Sequence, residues 1–199
     1  MYKVGITGGI GSGKSTVCDM LSGYGIAVYV ANDRAKELMT ESEQLRSALV
    51  AAFGEATYDG GKLNRAYLAE SVFSNTEALA RLNAIVHPAV MADFDRWAEE
   101  QEGEYVVLES AILFEAGLDD RVDTTVAVMA PKDIRLQRAM QRDGATREQI
   151  ERRMDNQLSD DRRCTLSKYA IVNILLEDLQ DDVEQLHRRL CYDAKAQRA

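Results

Sequence analysis

Apolar positions along this chain fall into two patterns. In the first, they sit in short continuous runs bounded by turn residues: Lys3-Val4-Gly5-Ile6-Thr7, Ile26 to Val30, Tyr105-Val106-Val107-Leu108, Thr124 to Met129, and Tyr169 to Val172. Runs of this length with β-branched and aromatic residues read as strands buried on both faces. In the second, they recur at helical spacing. Leu45, Leu49 and Phe53 form one such stripe, and Leu179, Val183, Leu186 and Leu190 another. Strands that alternate with helices predict an α/β fold with a mostly parallel sheet, covered by helices on both faces.

The punctuation agrees with this pattern. Gly23 and Gly25 end the first helix, Gly54 ends a later one, and Tyr58-Asp59-Gly60-Gly61-Lys62 is a turn. Asn64 can cap the helix after it. Residues 64 to 101 read as three helices with no strand between them, broken near Asn75-Thr76 and at His87-Pro88. Trp97 is expected to pack within this block. Pro131 suits the first turn of a helix. The chain from there to Arg163 is expected to be helical, with a turn at Asp143-Gly144. Thr146 with Gln149 three residues on predicts a capping box. After Tyr192 the polar tail is expected to fray, and His187 to be exposed or packed on the last helix. Asn32 and Asp33 allow two readings: they cap the helix from Arg34 toward Met39, or they place a carboxylate at the C-terminal end of a parallel strand, where open α/β sheets bind ligands. Spacing alone favours the cap.

Gly8-Gly9-Ile10-Gly11-Ser12-Gly13-Lys14-Ser15, followed by Thr16, has every defined position of a phosphate-binding P-loop filled. It sits between a predicted strand and a predicted helix, as that motif requires. Gly9, Gly11 and Gly13 permit backbone conformations that turn N–H groups inward around phosphate oxygens, and the helix start adds its positive dipole end. Lys14 can reach the β- and γ-phosphates, and the Ser15 hydroxyl can ligand Mg²⁺.

Bulk properties narrow the field. The chain has 199 residues, about one domain, and a net charge of −9 from 24 Lys+Arg against 33 Asp+Glu. That balance disfavours broad nucleic-acid or membrane-surface binding. No apolar run approaches the ~20 residues of a membrane span, and no signal peptide is visible. Cys18, Cys164 and Cys191 are sparse and unpatterned, which fits a reduced, cytoplasmic protein. Cys18 reads as core.

A P-loop alone leaves GTPases, motor and transport ATPases, and small-molecule kinases open. The guanine-selective Asn-Lys-x-Asp element is absent, and no long apolar strand ends in Asp at the usual Mg²⁺-water position. Arg135, Arg138, Arg142, Arg147, Arg152, Arg153, Arg162 and Arg163 crowd the segment after a late strand. Such a run is a solvated face or, beside a P-loop, a lid whose Arg side chains clamp phosphates. Small size, this segment and the helical block together suggest a nucleoside-monophosphate-kinase-like enzyme, in which catalysis is positioning and charge stabilisation.

Nearly the whole chain resembles the dephospho-CoA kinase family. The resemblance rests on Ile6 to Ser15, Val28-Tyr29-Val30-Ala31-Asn32-Asp33, Asn83-Ala84-Ile85-Val86-His87-Pro88, Ser110-Ala111-Ile112-Leu113-Phe114-Glu115, Gln137 to Asp143, and Tyr169-Ala170-Ile171-Val172-Asn173. The His-Pro and Leu-Phe-Glu elements, in that order, are the specific ones. The resemblance implies a single P-loop kinase domain over residues 1–199. It would carry a helical acceptor-binding insertion at about residues 57–101 and an Arg-rich lid at about 135–163. It implies transfer of the ATP γ-phosphoryl group to the 3′-hydroxyl of the dephospho-CoA ribose, with Mg²⁺, and it implies no protein partner. It places Gly8, Gly9, Gly11, Ser12, Gly13, Lys14, Ser15, Thr16, Arg142 and Asn173 on ATP. Arg138 or Arg142 falls on the transferring group, and Thr7, His87 and Glu115 on the acceptor. A packing role for His87 beside a helix break stays equally open, since Pro88 alone accounts for a break.

Two departures stand out. The family usually has Asp at the position of Asn32, the proposed base for the acceptor hydroxyl, and an amide cannot take that proton at neutral pH. Asp33, by a small backbone adjustment, is expected to supply the charge or base; the rival reading is that the base is missing and activity is reduced by a factor of about 10² to 10⁴. After Asn173 the family commonly has a polar Asp-Gly-type turn, whereas this chain has Ile174-Leu175-Leu176, which changes the expected contacts to adenine.

Overall fold

The computed structural model describes residues 1–73 and 75–198. Its elements run, in chain order, β1 (Tyr2–Thr7), α1 (Lys14–Gly23), β2 (Ala27–Val30), α2 (Ala31–Glu41), α3 (Glu43–Phe53), β3 (Tyr58–Asp59), β4 (Lys62–Leu63), α4 (Arg65–Phe73) and α5 (Thr76–Glu99). They continue as β5 (Tyr105–Glu109), β6 (Thr124–Met129), α6 (Lys132–Asp143), α7 (Arg147–Asp155), α8 (Asp160–Leu166), β7 (Tyr169–Val172) and α9 (Leu176–Arg198). Two compact units form: Met1–Val30 together with Ala98–Ala199, and Ala31–Trp97.

The first unit holds a five-stranded sheet in the order β2-β5-β1-β6-β7, every neighbouring pair parallel. Alternate residues of the strands build one core. Tyr2, Val4 and Ile6 of β1, Tyr105 and Val107 of β5, and Val126 and Val128 of β6 meet Val17, Cys18 and Leu21 of α1 and Leu179, Val183, Leu186 and Leu190 of α9. The opposite face is close-packed too: a Cβ on Gly5 would stand 2.8 Å from Leu113. Because the strands run parallel, their C-terminal ends lie at one edge. Ile6 is level with Glu109, Val30 with Glu109, and Met129 with Val172. That edge carries the loop after each strand, and so the candidate chemistry.

The last helix extends further than its polarity predicts. α9 runs to Arg198 instead of fraying after Tyr192. Ala194 is buried, Gln197 Nε2 donates to Asp123 Oδ1 at 2.8 Å, and Arg198 Nη2 donates to the carbonyls of Gly103 and Glu104 at 3.1 Å each. His187 packs on α9: its ring stacks on Tyr24 with centroids 4.8 Å apart, and its Nδ1 lies 2.9 Å from the Tyr105 hydroxyl.

The second unit is helical apart from the hairpin β3–β4, closed at Gly60-Gly61. The capping by Asn64 is present, since its Oδ1 accepts from Tyr67 N at 3.1 Å. The expected break at His87-Pro88 is not. α5 passes straight through Pro88, so residues 65–99 hold two helices, α4 and α5, not three. Pro88 removes one helical hydrogen bond, but buried Val86, Val90 and Phe94 fall on one stripe at four-residue spacing. Packing along that stripe outweighs a local defect of a few kcal/mol. Trp97 stacks on Phe94 with centroids 6.0 Å apart. A buried carboxylate ties α2 to α5: Asp93 takes Arg34 Nε at 2.7 Å and Nη2 at 3.3 Å, and Arg96 Nη2 at 3.1 Å. This two-point clasp is the strong form of the ion pair.

Candidate active site

The P-loop links β1 to α1 at the C-terminal edge of the sheet. Gly13 sits at φ 93° immediately before α1, and the first turn of that helix is Lys14, Ser15 and Thr16. An ammonium has three donors. One of Lys14's goes to Gly8 O at 2.9 Å, and Glu109 Oε1 stands 3.8 Å from Nζ. Both side chains are about nine-tenths buried. Burial lowers the proton affinity of Lys14; Glu109 opposes that shift, and Arg163 adds to it. Ser15 is exposed at the mouth of the loop, while the hydroxyls of Thr7 and Ser12 are buried without a hydrogen-bond partner.

The sequence places Glu109 at the end of a strand but gives it no role. It ends β5, and the register brings it level with Ile6, one residue before Thr7 and the loop. A search for a strand-terminal Asp passes over it; a search for any strand-terminal carboxylate finds it.

Asn173 closes the other side. Its Nδ2 donates to Ser12 O at 2.9 Å, and its backbone N donates to Met129 O at 2.7 Å. Arg138, from α6, donates Nη1 to Asn173 O at 3.0 Å and Nη2 to Ile174 O at 3.1 Å. Lys14, Ser12, Asn173 and Arg138 are thus gathered around one loop. Arg142 is close enough for its charge to act on Lys14, but its side chain is 62% exposed and pairs with Asp143 at 2.7 Å. Bonds from Arg142 and Arg153 hold the Asp143 carboxyl down at about 2.

The Arg-rich segment is helical as expected, with the Thr146–Gln149 capping box in place. Its apolar residues form a small core of Leu136, Ala139, Ile150 and Met154, against which Ile10 of the P-loop packs. Two of its arginines are not solvated arms. Arg135 and Arg163 are 8% and 1% exposed. Arg135 lies against the loop so closely that a Cβ on Gly9 would fall 1.7 Å from its Nη1. Asp160 Oδ1 accepts from Arg135 Nη1 at 3.1 Å and from Arg163 Nη1 at 3.2 Å. Glu115, from the loop after β5, accepts from Arg163 Nη2 at 3.3 Å and from Leu158 N at 2.9 Å.

Asn32, Asp33 and His87 belong to the helical unit. Asn32 and Asp33 are not N-caps, because α2 begins at Ala31. Both are exposed in its first turn, and Asp33 Oδ1 pairs with Lys36 Nζ at 2.6 Å. Consecutive helical residues point about 100° apart, so exchanging Asp33 for Asn32 takes more than a small backbone adjustment. His87 is half-buried midway along α5, and burial lowers its proton affinity.

A family model described as dephospho-CoA kinase matches residues 2–177. The chain belongs to the dephospho-CoA kinase family. Its relatives include the dephospho-CoA kinase of Porphyromonas gingivalis, 44% identical over 168 residues, covering 84% of this chain and 82% of that one. Another, from Salinibacter ruber, is 42% identical over 192 residues, covering 94% and 96%. A crystal structure from Thermus thermophilus superposes with a TM-score of 0.83 at 35% identity, covering 95% of this chain and 97% of that one. A shikimate kinase from Bacteroides thetaiotaomicron, at 14% identity and a TM-score of 0.56 over 95% and 98%, shares the fold alone. Membership of a kinase family implies that the chain uses ATP. Among the described residues no helix is long and apolar enough to cross a membrane.

The chemistry beneath the loop gives a first expected result. Cys18 lies one turn after Lys14, buried, and burial pushes its thiol up to about 12. The reactive form is the thiolate. A maleimide at neutral pH is therefore expected to modify exposed Cys164 and to spare Cys18 until the protein is unfolded. Labelling of native Cys18, read by peptide mass mapping, would contradict this placement.

Proposed function

We propose that the protein transfers the γ-phosphoryl group of ATP to the 3′-hydroxyl of the dephospho-CoA ribose, giving coenzyme A and ADP. The acceptor oxygen forms the new P–O bond as the bond to the β-phosphate bridge breaks, and the hydroxyl proton passes to a base. The observation that carries this reading is that one family's pattern spans the cradle, the helical unit and the Arg-rich segment together. In this reading Gly8, Gly9, Gly11, Ser12, Gly13 and Thr16 surround the phosphates, and Lys14 neutralises their charge. Arg138, already held beside Gly13 and Asn173, meets the transferring group, while Arg142 reaches it by exchanging Asp143 for phosphate. The helices of residues 57–101, with His87, hold the acceptor.

Magnesium suits the donors present. The Ser15 hydroxyl and the buried Glu109 carboxylate are hard oxygen donors of the kind Mg²⁺ prefers, alongside phosphate oxygens and water. Bound there, the ion would neutralise charge on the β- and γ-phosphates.

On the acceptor side we assign the proton to Asp33, which must first release Lys36 and, with the first turn of α2, rotate by about the 100° that separates it from Asn32. General-base catalysis contributes about 10² to 10⁴ in rate, so Asp33→Ala is expected to lower kcat by that factor while ATP binding holds. Near wild-type kcat would remove Asp33 from the mechanism. Asn32→Asp, which restores the usual family residue, is expected to raise kcat.

Asn32 also favours a second reading, an ATP-binding module without turnover. Coupled measurement of ADP release separates the two when run with dephospho-CoA, shikimate, gluconate or a nucleoside as acceptor. ADP release that depends on dephospho-CoA supports the kinase; ATP binding without acceptor-dependent release supports the module. Turnover with one of the other acceptors would instead reassign the substrate.

A further inference from the structure

Glu115 is engaged on the nucleotide side. One of its oxygens, Oε1, accepts from Leu158 N at 2.9 Å and from Arg163 Nη2 at 3.3 Å. Each bond leads back to the P-loop. Leu158 follows Gln157, whose Oε1 accepts from Ile10 N in the loop at 3.0 Å. Arg163 is 1% exposed, and its Nη1 would stand 3.3 Å from a Cβ on Gly9. Its remaining carboxylate partner, Asp160 Oδ1 at 3.2 Å, is shared with Arg135, which presses on the same glycine. Two cations and two carboxylates are therefore packed behind Gly9 and Ile10. A buried guanidinium is stable only while its counter-charges and hydrogen bonds are in place. Glu115 supplies one of those charges from a loop outside the Arg-rich segment, and it pins the residue next to the one that grips the loop.

We infer that Glu115 is a positioning residue for the ATP cradle: through Leu158 and Arg163 it holds Gln157 and the buried arginine pair against Gly9 and Ile10. This rests on the reading that the P-loop binds ATP, and it moves Glu115 from the acceptor's side to the nucleotide's. Residues sharing one hydrogen-bond and charge network couple when substituted, so the effect passes through Gln157 and is not independent of it.

The test uses Glu115→Gln, which can still accept from Leu158 N but carries no charge, and Glu115→Ala, which does neither. Gln157→Ala and the Glu115→Ala/Gln157→Ala pair complete a cycle. ATP affinity is measured by calorimetry, and KM for dephospho-CoA by ADP release. Glu115→Ala is expected to weaken ATP binding roughly 10-fold, Glu115→Gln by less, with KM for dephospho-CoA within about twofold of wild type. The double variant is expected to lose little more than the worse single one. Should Glu115→Ala fail to fold, the milder Glu115→Gln, paired with Gln157→Ala, carries the same comparison. Unchanged ATP affinity with a raised KM for dephospho-CoA, or additive losses in the cycle, would overturn the inference. If the wild-type protein binds no ATP, the reading of the P-loop falls with it. If the wild type binds ATP and the Glu115 variants bind it equally well, only the positioning role falls.

Discussion

Lys14→Met is expected to lower kcat by roughly 10² to 10³, the cost of removing one preorganised charge donor from a phosphoryl-transfer site. The lysine is placed for this task. Its Nζ rests on Gly8 O at 2.9 Å and faces Glu109 at 3.8 Å, inside the loop proposed to surround the phosphates. Methionine keeps the stem's volume and removes the charge. The effect on folding should be small, because two contributions oppose one another. A desolvated cation is lost, which favours folding, while Glu109 loses a partner, which does not. The comparison to make is kcat from steady-state ADP release beside a melting curve. A variant that folds like the wild type and turns over like it would remove Lys14 from the chemistry.

Gly13→Ala should cost stability and ATP binding together. Gly13 has φ 93°, in the left-handed region that favours glycine. A methyl group there would sit 1.9 Å from Asn173 Nδ2. Asn173 must then give up its 2.9 Å bond to Ser12 O in a buried setting. Backbone strain of about 1–3 kcal/mol adds to a lost hydrogen bond of about 0.5–1.5 kcal/mol. A total of about 1.5–4.5 kcal/mol lowers the melting temperature by several degrees, taking roughly 2–4 °C per kcal/mol for a chain of this size. Gly23→Ala is the matched control. It ends α1 at an ordinary φ, with nothing within 4 Å of a new Cβ, and it is expected to be neutral or slightly stabilising. Equal melting temperatures for the two variants would contradict the role given to Gly13 and Asn173.

The sheet was legible in the sequence because its central strands are buried on both faces. Runs such as Val106-Val107-Leu108 have no polar side to hide them. The cradle was legible because a loop that wraps phosphate needs glycine and lysine at fixed positions. Three features were less accessible, each for a tertiary reason. Pro88 reads as a helix break, yet the stripe through Val86, Val90 and Phe94 carries α5 across it. Arg135 and Arg163 read as members of a charged face, and only the fold buries them against Gly9 beside Asp160 and Glu115. Glu109 becomes Lys14's neighbour through the register of β5 on β1, which no local spacing encodes. The polar end of α9 is likewise held by partners distant in sequence, Gly103, Glu104 and Asp123. Asn32 and Asp33 show the limit from the other side. Their spacing fits a cap, but the helix begins at Ala31 and takes both of them into its first turn.

In the proposed reaction this P-loop delivers a phosphoryl group to one hydroxyl of one acceptor. Its most direct test is the structure of the product formed from ATP and dephospho-CoA, read by ³¹P–¹H correlation on the purified material. The expected product is a single new phosphomonoester coupled to the ribose 3′ proton, formed mole for mole with ADP. ADP released without that product, or a phosphate attached at any other position, would contradict it.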